Sequence, residues 1–442
     1  MGRKHKQTLR VVHPHCAGID VGKARHYVAV SEDAEGRPVR SFASFTDELH
    51  AMARWLRSCG VDTVAMEATG VYWIAPYEVL DRAGFEVHLV DARATKQVSG
   101  RKSDVLDCQW IRELMSYGLL KGAFRPSDAT CELRSYVRQR GRLVSDRARC
   151  VQHMQKALTQ MNVQLDTVLS DVMGKTGQAI VRAIVAGERD ATVLARRRDR
   201  RVKADEETIA RSLQGNWREE HLFALAQALE RYDFMEHQIE QSEVRIEATM
   251  NVLAPDESRV EEREAAPARN ARERALRRAL HTVMGVDLTA IPTIGVETAL
   301  TLASEIGPDL SRFPTSGHFC SWLTLAPGTR ISGGKSLKGH TVKCANRAGQ
   351  ALRMAASTAR HNQSFLGASH RARLRRLDTA RAIKATAHQL ARLIYAMLTR
   401  GEEYVERGMA QFETERRERQ LRHLQRQARY FDLALVPAEQ AA

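Results

Sequence analysis

Four carboxylates in this chain have the types and spacing to do chemistry on phosphates: Asp20, Glu67, Asp104 and Asp107. Asp20 ends the apolar run Ala17-Gly18-Ile19-Asp20, which continues through Val21-Gly22 toward Tyr27-Val28-Ala29-Val30. Glu67 ends a second run, Val61 to Glu67, in which Val64, Ala65 and Met66 precede the acid. Asp104 and Asp107 stand three apart at the start of an amphipathic segment, so a helix there presents both on one face. Clustered carboxylates repel one another unless cations join them, and hard divalent ions such as Mg2+ prefer oxygen ligands. A two-metal carboxylate site stabilises the attacking and the leaving oxygen of phosphoryl transfer. One acid at a strand end is ordinarily a turn residue or a helix cap. Four in one α/β frame point to a metal-dependent nuclease core.

The elements that must position these acids are mixed. The patterning predicts strands near 15–21, 26–31, 39–45, 61–67 and 85–90, and helices at 47–58, 72–83 and 104–118. The second and third strands are joined by the turn-rich stretch Glu32 to Pro38, which suggests a hairpin. The first helix follows Thr46 as a cap candidate and carries Leu49, Met52, Ala53 and Leu56 on one stripe. Three strands, then helix, strand, helix, strand, helix is the order of the ribonuclease H-like fold, whose acids sit on the first strand, the fourth strand and a late helix. A rival lies in Gly18-Ile19-Asp20-Val21-Gly22, which also resembles the first phosphate loop of sugar-kinase and actin-like ATPases. Those enzymes need a second Asp-Gly phosphate loop and a glycine-rich adenosine site, and neither stands in a convincing place.

The 442 residues suffice for two or three domains. A net charge of +15 suits a polyanionic partner without specifying one. Seven cysteines are scattered with no CxxC pair, which argues against a disulfide framework or a zinc ribbon and fits a reducing cytoplasm. His13, His15 and Cys16 lie close together but lack further ligands at metal spacing, and read as a strand edge. No apolar run reaches the length of a membrane span, and the basic N-terminus (Arg3, Lys4, Lys6, Arg10) is not followed by the apolar segment of a signal peptide.

From about 131 to 253 the pattern is helical. Val137, Val144, Val151, Leu158, Leu165 and Val172 recur every seven residues. Leu133, Met154, Met161 and Val168 fill the companion positions, a series interrupted by Arg140 and Arg147. A second heptad run holds Leu225, Tyr232, Ile239, Ile246 and Leu253. Two such helices joined by a helical cap suggest an antiparallel coiled-coil arm, used in dimerisation, with an ordinary bundle as the alternative. The first run would span about 60 Å if continuous. Residues 254 to 275, rich in Ala, Glu and Arg with Pro255 and Pro267, read as a linker or a solvated helix.

The second half carries its own chemistry. Ala290-Ile291-Pro292-Thr293-Ile294-Gly295, followed by a helix from Val296 to Ile306, resembles a helix-hairpin-helix. Gly295 is expected to permit the tight turn, and the next helix offers its free N–H groups to a phosphate. From Leu310 to Leu377 there is no Asp or Glu, while twelve Lys or Arg occur, among them Arg330, Lys335, Lys338, Lys343, Arg347, Arg353 and Arg360. A solvated face mixes signs, so a one-signed tract is better explained by contact with phosphates. At its centre lies Thr329-Arg330-Ile331-Ser332-Gly333-Gly334-Lys335. A serine beside flexible glycines and flanked by cations can approach a phosphodiester and attack it. A Ser-Gly-Gly loop alone is usually just a turn.

Five segments, AGIDVGK, VAMEATGVYW, SGRKSDVLDCQWI, IPTIGVETALTLASEIG and WLTLAPGTRISGGKSLKGHTVKCANRAGQALRMAA, make the whole chain resemble the transposases of the insertion-sequence 110 family, in its 1111 subgroup. They cover roughly 12–120 and 285–360. The resemblance implies an N-terminal RuvC-like domain with an Asp-Glu-Asp-Asp set at Asp20, Glu67, Asp104 and Asp107. It also implies a C-terminal transposase domain whose nucleophile is Ser332, and a structured bridge RNA whose loops pair with donor and target DNA. Ser336 is not at the family position. Cys344 and Ala345 stand where many relatives are more polar or basic.

The expected organisation is a RuvC-like α/β domain at 11–125, a helical coiled-coil arm at 126–255, a linker at 256–280, a mainly helical transposase domain at 281–400 and a charged helical tail at 401–442. The expected function is a bacterial, cytoplasmic, RNA-guided DNA recombinase. Ser332 attacks a DNA phosphate, the four carboxylates hold Mg2+, and Arg330, Lys335, Lys338, Lys343, Arg347, Arg353 and Gly295 contact nucleic acid. Ser332 and the acids are far apart in sequence, so the site could be shared within a dimer or tetramer. Two alternatives stand beside it. One is a water-using nuclease or transposase in which Ser332 only contacts phosphate. The other is a non-catalytic nucleic-acid-binding protein.

Overall fold

The computed structural model describes residues 10–34, 36–68, 70–90, 104–120, 122–254, 271–327, 330–333, 335–337 and 346–433. The chain divides into two compact units, Met1–Arg125 and Pro126–Ala442.

The first unit is built on a five-stranded mixed sheet. Its strands are β1 (Cys16–Val21), β2 (Arg25–Ala29), β3 (Val39–Ala43), β4 (Thr63–Glu67) and β5 (Glu86–Val90), in the spatial order β3-β2-β1-β4-β5. β1, β2 and β3 form an antiparallel meander, and β4 and β5 add in parallel to β1. Strand alternation sorts the side chains onto two faces. Ala17, Ile19, Val21, Val64, Met66 and Leu89 pack with helix α1 (Thr46–Ser58) and helix α2 (Ile74–Arg82). The opposite parity, Cys16, Ala65 and Val90, packs with Ile111 and Met115 of helix α3 (Asp104–Ser116).

The stripe expected on α1 is buried: Leu49, Met52, Ala53 and Leu56 all face the core. Its start differs from expectation. Phe45 occupies the N-cap position without a side-chain cap, and Thr46 is the first helical residue. Asp47 and Glu48 instead place negative charge at the helix's positive end.

In the second unit, α4 (Asp128–Gln160) and α9 (Glu219–Leu253) pack along each other. Between them lie four short helices: α5 (Leu165–Val168), α6 (Lys175–Val185), α7 (Ala191–Ala195) and α8 (Glu206–Ser212). The six-residue heptad run is not one helix. α4 ends at Gln160, and Asn162 turns the chain with φ 58°. At 33 residues α4 is about 50 Å long. Leu165 and Val172 belong to the cap, where they pack with Leu158, Met161, Ile180, Ile184, Ile209 and Leu225.

The two arginines that interrupt the companion series have partners on α9. Arg140 Nε donates to Glu243 at 2.9 Å, and Arg147 Nη1 donates to Glu236 at 2.6 Å. A seven-residue step forward on α4 meets a seven-residue step backward on α9. Ion pairs at seam positions specify register at some cost in stability.

The remaining helices are α10 (Ala271–Met284), α11 (Val296–Ile306), α12 (Ser316–Trp322), α13 (Arg347–Thr358), α14 (Phe365–Leu374), α15 (Thr379–Arg400) and α16 (Glu402–Tyr430). α10 starts inside the stretch read as a linker or solvated helix. α15 is the hub: α12, α13, α14 and α16 all pack on it. Phe313, Phe319, Trp322 and Tyr395 form an aromatic cluster against it, and the Tyr395 hydroxyl donates to the Phe313 carbonyl at 2.8 Å. Among the described residues no helix is long and apolar enough to cross a membrane.

Candidate active site

The carboxylate half of the site is positioned by strand parity. Ile19 pairs with Met66 across the parallel strands, so the next residues lie at the same end of the sheet, Glu67 as the last of β4 and Asp20 one short of the end of β1. Both have the parity of Gly18 and Ala65, which places them on the face that α3 covers. α3 runs antiparallel to β1. The Cys16 thiol donates to the Arg112 carbonyl at 3.5 Å. A Cβ on Gly18 would stand 2.3 Å from both the Cys108 carbonyl oxygen and the Arg112 nitrogen. Gly18 is what lets helix backbone lie directly on strand backbone. The same progression carries the first turn of α3, with Asp104 and Asp107, toward the Asp20 end.

Charge marks that approach. The Cys108 thiol is pushed up to about 12, first by burial and then by the negative charge of Asp20, with a smaller contribution from Asp107. Asp20, Glu67 and Asp107 are half-buried, and Asp104 is exposed. Among the described residues no three Asp, Glu, His or Cys side chains meet closely enough to hold one ion. The structure therefore brings the four acids to one face and one end of the sheet, but not into a single shell. Closing them on a cation would require side-chain movement.

One neighbour escaped the sequence reading. Tyr27 pairs with Asp20 across the β1–β2 hairpin and shares its face. The hairpin register carries this signal, and it follows once the turn at Gly22 to Ala24 is fixed.

The serine segment is a two-stranded ribbon. β6 (Arg330–Ser332) and β7 (Lys335–Leu337) pair antiparallel with Ser332 opposite Lys335 and Ser336 opposite Ile331. Ser332 is the last residue before the turn, where Gly333 takes φ 56°, a conformation that favours glycine. Lys338, Lys343, Cys344 and Ala345 lie outside the described residues. Arg347 opens α13 and is exposed, while Arg353 is half-buried on it. Asn346 caps this helix, its side chain accepting from the Gly349 nitrogen at 3.0 Å.

The helix–turn–helix around Gly295 differs from expectation in which residue turns. Gly295 has φ −86° and ψ 171°, ordinary extended backbone at the N-cap of α11. The left-handed residue is Thr293, at φ 75°. A β-branched residue there is strained, and its hydroxyl is buried without a hydrogen-bond partner.

α11 is fixed to the base of α4 by three arginines. Arg134 donates to the carbonyls of Ser304 and Glu305 at 3.3 and 2.9 Å, capping the last turn of α11. Arg138 grips the Glu305 carboxylate with two bonds of 2.7 Å. Arg140 reaches Glu297 at 2.8 and 2.9 Å. Burial alone would lower the pKa of the Arg140 guanidinium, but Glu297 and Glu243 more than offset it and hold it above its ordinary value.

Two segments of the chain match transposase family models. Residues 17–163 match a transposase family model titled for the DEDD transposases of IS110. Residues 286–370 match the model of the transposase IS116/IS110/IS902 family. The two segments together cover more than half of the chain, and the chain belongs to the IS110 family of transposases. A stretch of 122 residues is 31% identical to the insertion element IS110 uncharacterized 43.6 kDa protein of Streptomyces coelicolor, over 27% of this chain and 30% of that protein. The chain thus aligns with less than a third of that relative's length.

Proposed function

We propose that the protein is a DNA recombinase that moves its own element by cutting, exchanging and rejoining strands through a transient phosphoserine link at Ser332. The observation that carries this reading is the placement of Ser332. It ends β6 directly before the left-handed Gly333, opposite Lys335, inside the segment matched by the transposase model. A basic residue in register with the serine is of the type that favours a negatively charged transition state. The Ser332 hydroxyl oxygen attacks phosphorus and loses its proton. The bond from phosphorus to one deoxyribose oxygen breaks, and that oxygen takes up a proton. A hydroxyl of the incoming strand then attacks the phosphoserine and releases Ser332. Each step trades one phosphoester bond for another, so no nucleotide cofactor is needed.

The β3-β2-β1-β4-β5 sheet with an acid near the ends of β1 and β4 supports a RuvC-like, ribonuclease H-like core. The DEDD title of the matched family gives the order in which Asp20, Glu67, Asp104 and Asp107 occur. An all-carboxylate donor set on one face fits a hard divalent cation such as Mg2+, which when bound would neutralise charge at a phosphate. In this reading the four carboxylates hold that ion, and Arg330, Lys335, Lys338, Lys343, Arg347 and Arg353 hold the nucleic-acid backbone. The free N–H groups at the start of α11, beginning at Gly295, offer a further phosphate contact. A structured guide RNA, the bridge RNA that the family resemblance implies, selects donor and target DNA. Self-association into a dimer or tetramer brings the two half-sites together.

The test is recombination of donor and target duplexes by protein, guide RNA and Mg2+. Asp20→Ala, Glu67→Ala and Ser332→Ala each abolish product while RNA binding persists. Full recombination by both acid variants would remove the carboxylates from the mechanism.

A further inference from the structure

Arg371 on α14 and Arg375, which caps its C-terminus, face Arg419 and His423 on α16 across a cleft of about 750 Å³. Ala372 and Leu424 give it an aliphatic floor, and among the described residues no carboxylate lines it. The α14 wall and the start of α16 are each tied down by hydrogen bonds. Arg371 donates to the carbonyls of Arg360 and Asn362 at 3.0 and 2.7 Å. At the root of α16, Glu402 accepts from the Asp287 backbone nitrogen and pairs with His281 at 3.4 Å. The charge sorts along α16 itself. Beyond Glu418 there is no acid up to Phe431, while Arg419, Arg422, Arg426 and Arg429 follow one another. A cleft with several guanidinium groups on its walls attracts anionic groups. α16 also lies beyond both segments matched by the transposase models.

We propose that this cleft is a second nucleic-acid site. It takes the phosphodiester backbone of an unpaired strand on its arginines and the sugars and bases on the Ala372–Leu424 floor. The cleft's volume lies in the range of sites that hold one compact organic group, and guanidinium planes stack on exposed bases as well as pairing with phosphates. The proposal rests on the reading of the protein as a nucleic-acid enzyme and adds a role for the tail helix: holding single-stranded segments near the transposase half.

The experiment is a salt titration of the full-length protein with labelled single-stranded RNA, single-stranded DNA and duplex DNA of one length, followed by anisotropy. The variants are Arg375→Gln/Arg419→Gln, the charge-keeping Arg375→Lys/Arg419→Lys, and a control, Arg196→Gln/Arg197→Gln, which removes the same charge beside α7. Each lost phosphate contact lowers the single-strand slope of log K against log salt by about 0.7. The glutamine pair in the cleft should therefore lose about 1.4, and the lysine pair and the control should keep the slope. An unchanged slope in the cleft variant, or an equal fall in the control, overturns the cleft. A loss confined to duplex DNA overturns the single-strand assignment. A wild-type protein that binds none of the three probes would instead overturn the functional reading beneath it.

Discussion

At Gly18 the absence of one methyl group decides how close a helix can come to the strand that bears Asp20. Gly18→Ala must push α3 away from β1 or strain both, and overpacking of this kind costs about 1–3 kcal/mol. Thermal unfolding should show a melting point several degrees lower, and an unchanged melt would mean that α3 does not lie on Gly18. Burial also sets thiol reactivity. The Cys16 and Cys320 thiols are pushed up to about 11 and that of Cys108 to about 12, burial being the main cause in each. A thiol titrating that high is protonated and unreactive at pH 8. Brief iodoacetamide treatment at pH 8 should label the half-exposed Cys59 and Cys131 and spare those three, as read by peptide mass spectrometry. Labelling of Cys108 would contradict the packing of α3. The sequence marked Asp20 and Glu67 as candidates because each ends an apolar run. It could not supply Tyr27 or the tight contact at Gly18, since both depend on which strand or helix lies across.

Helix and strand patterns were legible where one period dominated. The five strands of the first sheet and helices α1 to α3 stand within a few residues of their expected places, because alternation and helical stripes each bury one face. The two long helices α4 and α9 were legible as two heptad runs, but the break after Gln160 was not. The seven-residue spacing continues through Leu165 and Val172 by placement in the cap core, not along a helix. Leu158, expected on a seam open to a partner, also packs in that core. Arg140 and Arg147 looked like interruptions because their glutamates lie 103 and 89 residues away, a pairing fixed only by antiparallel packing. A double-mutant cycle on Arg140 and Glu243, both largely buried, should give a coupling energy of about 1–2 kcal/mol. A coupling near zero would mean that the pair does not set the register. Thr293 offers a second element-scale test. Thr293→Gly relieves a left-handed β-branched residue, a strain of about 1–3 kcal/mol, and should raise the melting temperature. A lower one would show that the threonine side chain makes an interaction that outweighs its strain.

For the whole molecule, the excess of positive charge and the acid-free tract from Leu310 to Leu377 are what the proposal of a polyanionic partner draws from composition alone. The role proposed for the tail could not be read there, because it depends on α16 facing α14. The two chemical halves were each legible as motifs, the carboxylates in the first unit and the serine ribbon in the second. Their cooperation is a claim about reaction, and a covalent intermediate tests it most directly. The full-length protein is incubated with guide RNA, donor and target DNA and Mg2+, denatured, digested, and searched for DNA-linked peptides by mass spectrometry. The account predicts an adduct on Ser332 in the unaltered protein and in Ser336→Ala, and none in Ser332→Ala or Asp20→Ala. Strand cleavage at full rate in Ser332→Ala, with no adduct on any residue, would contradict it and assign the attack to water.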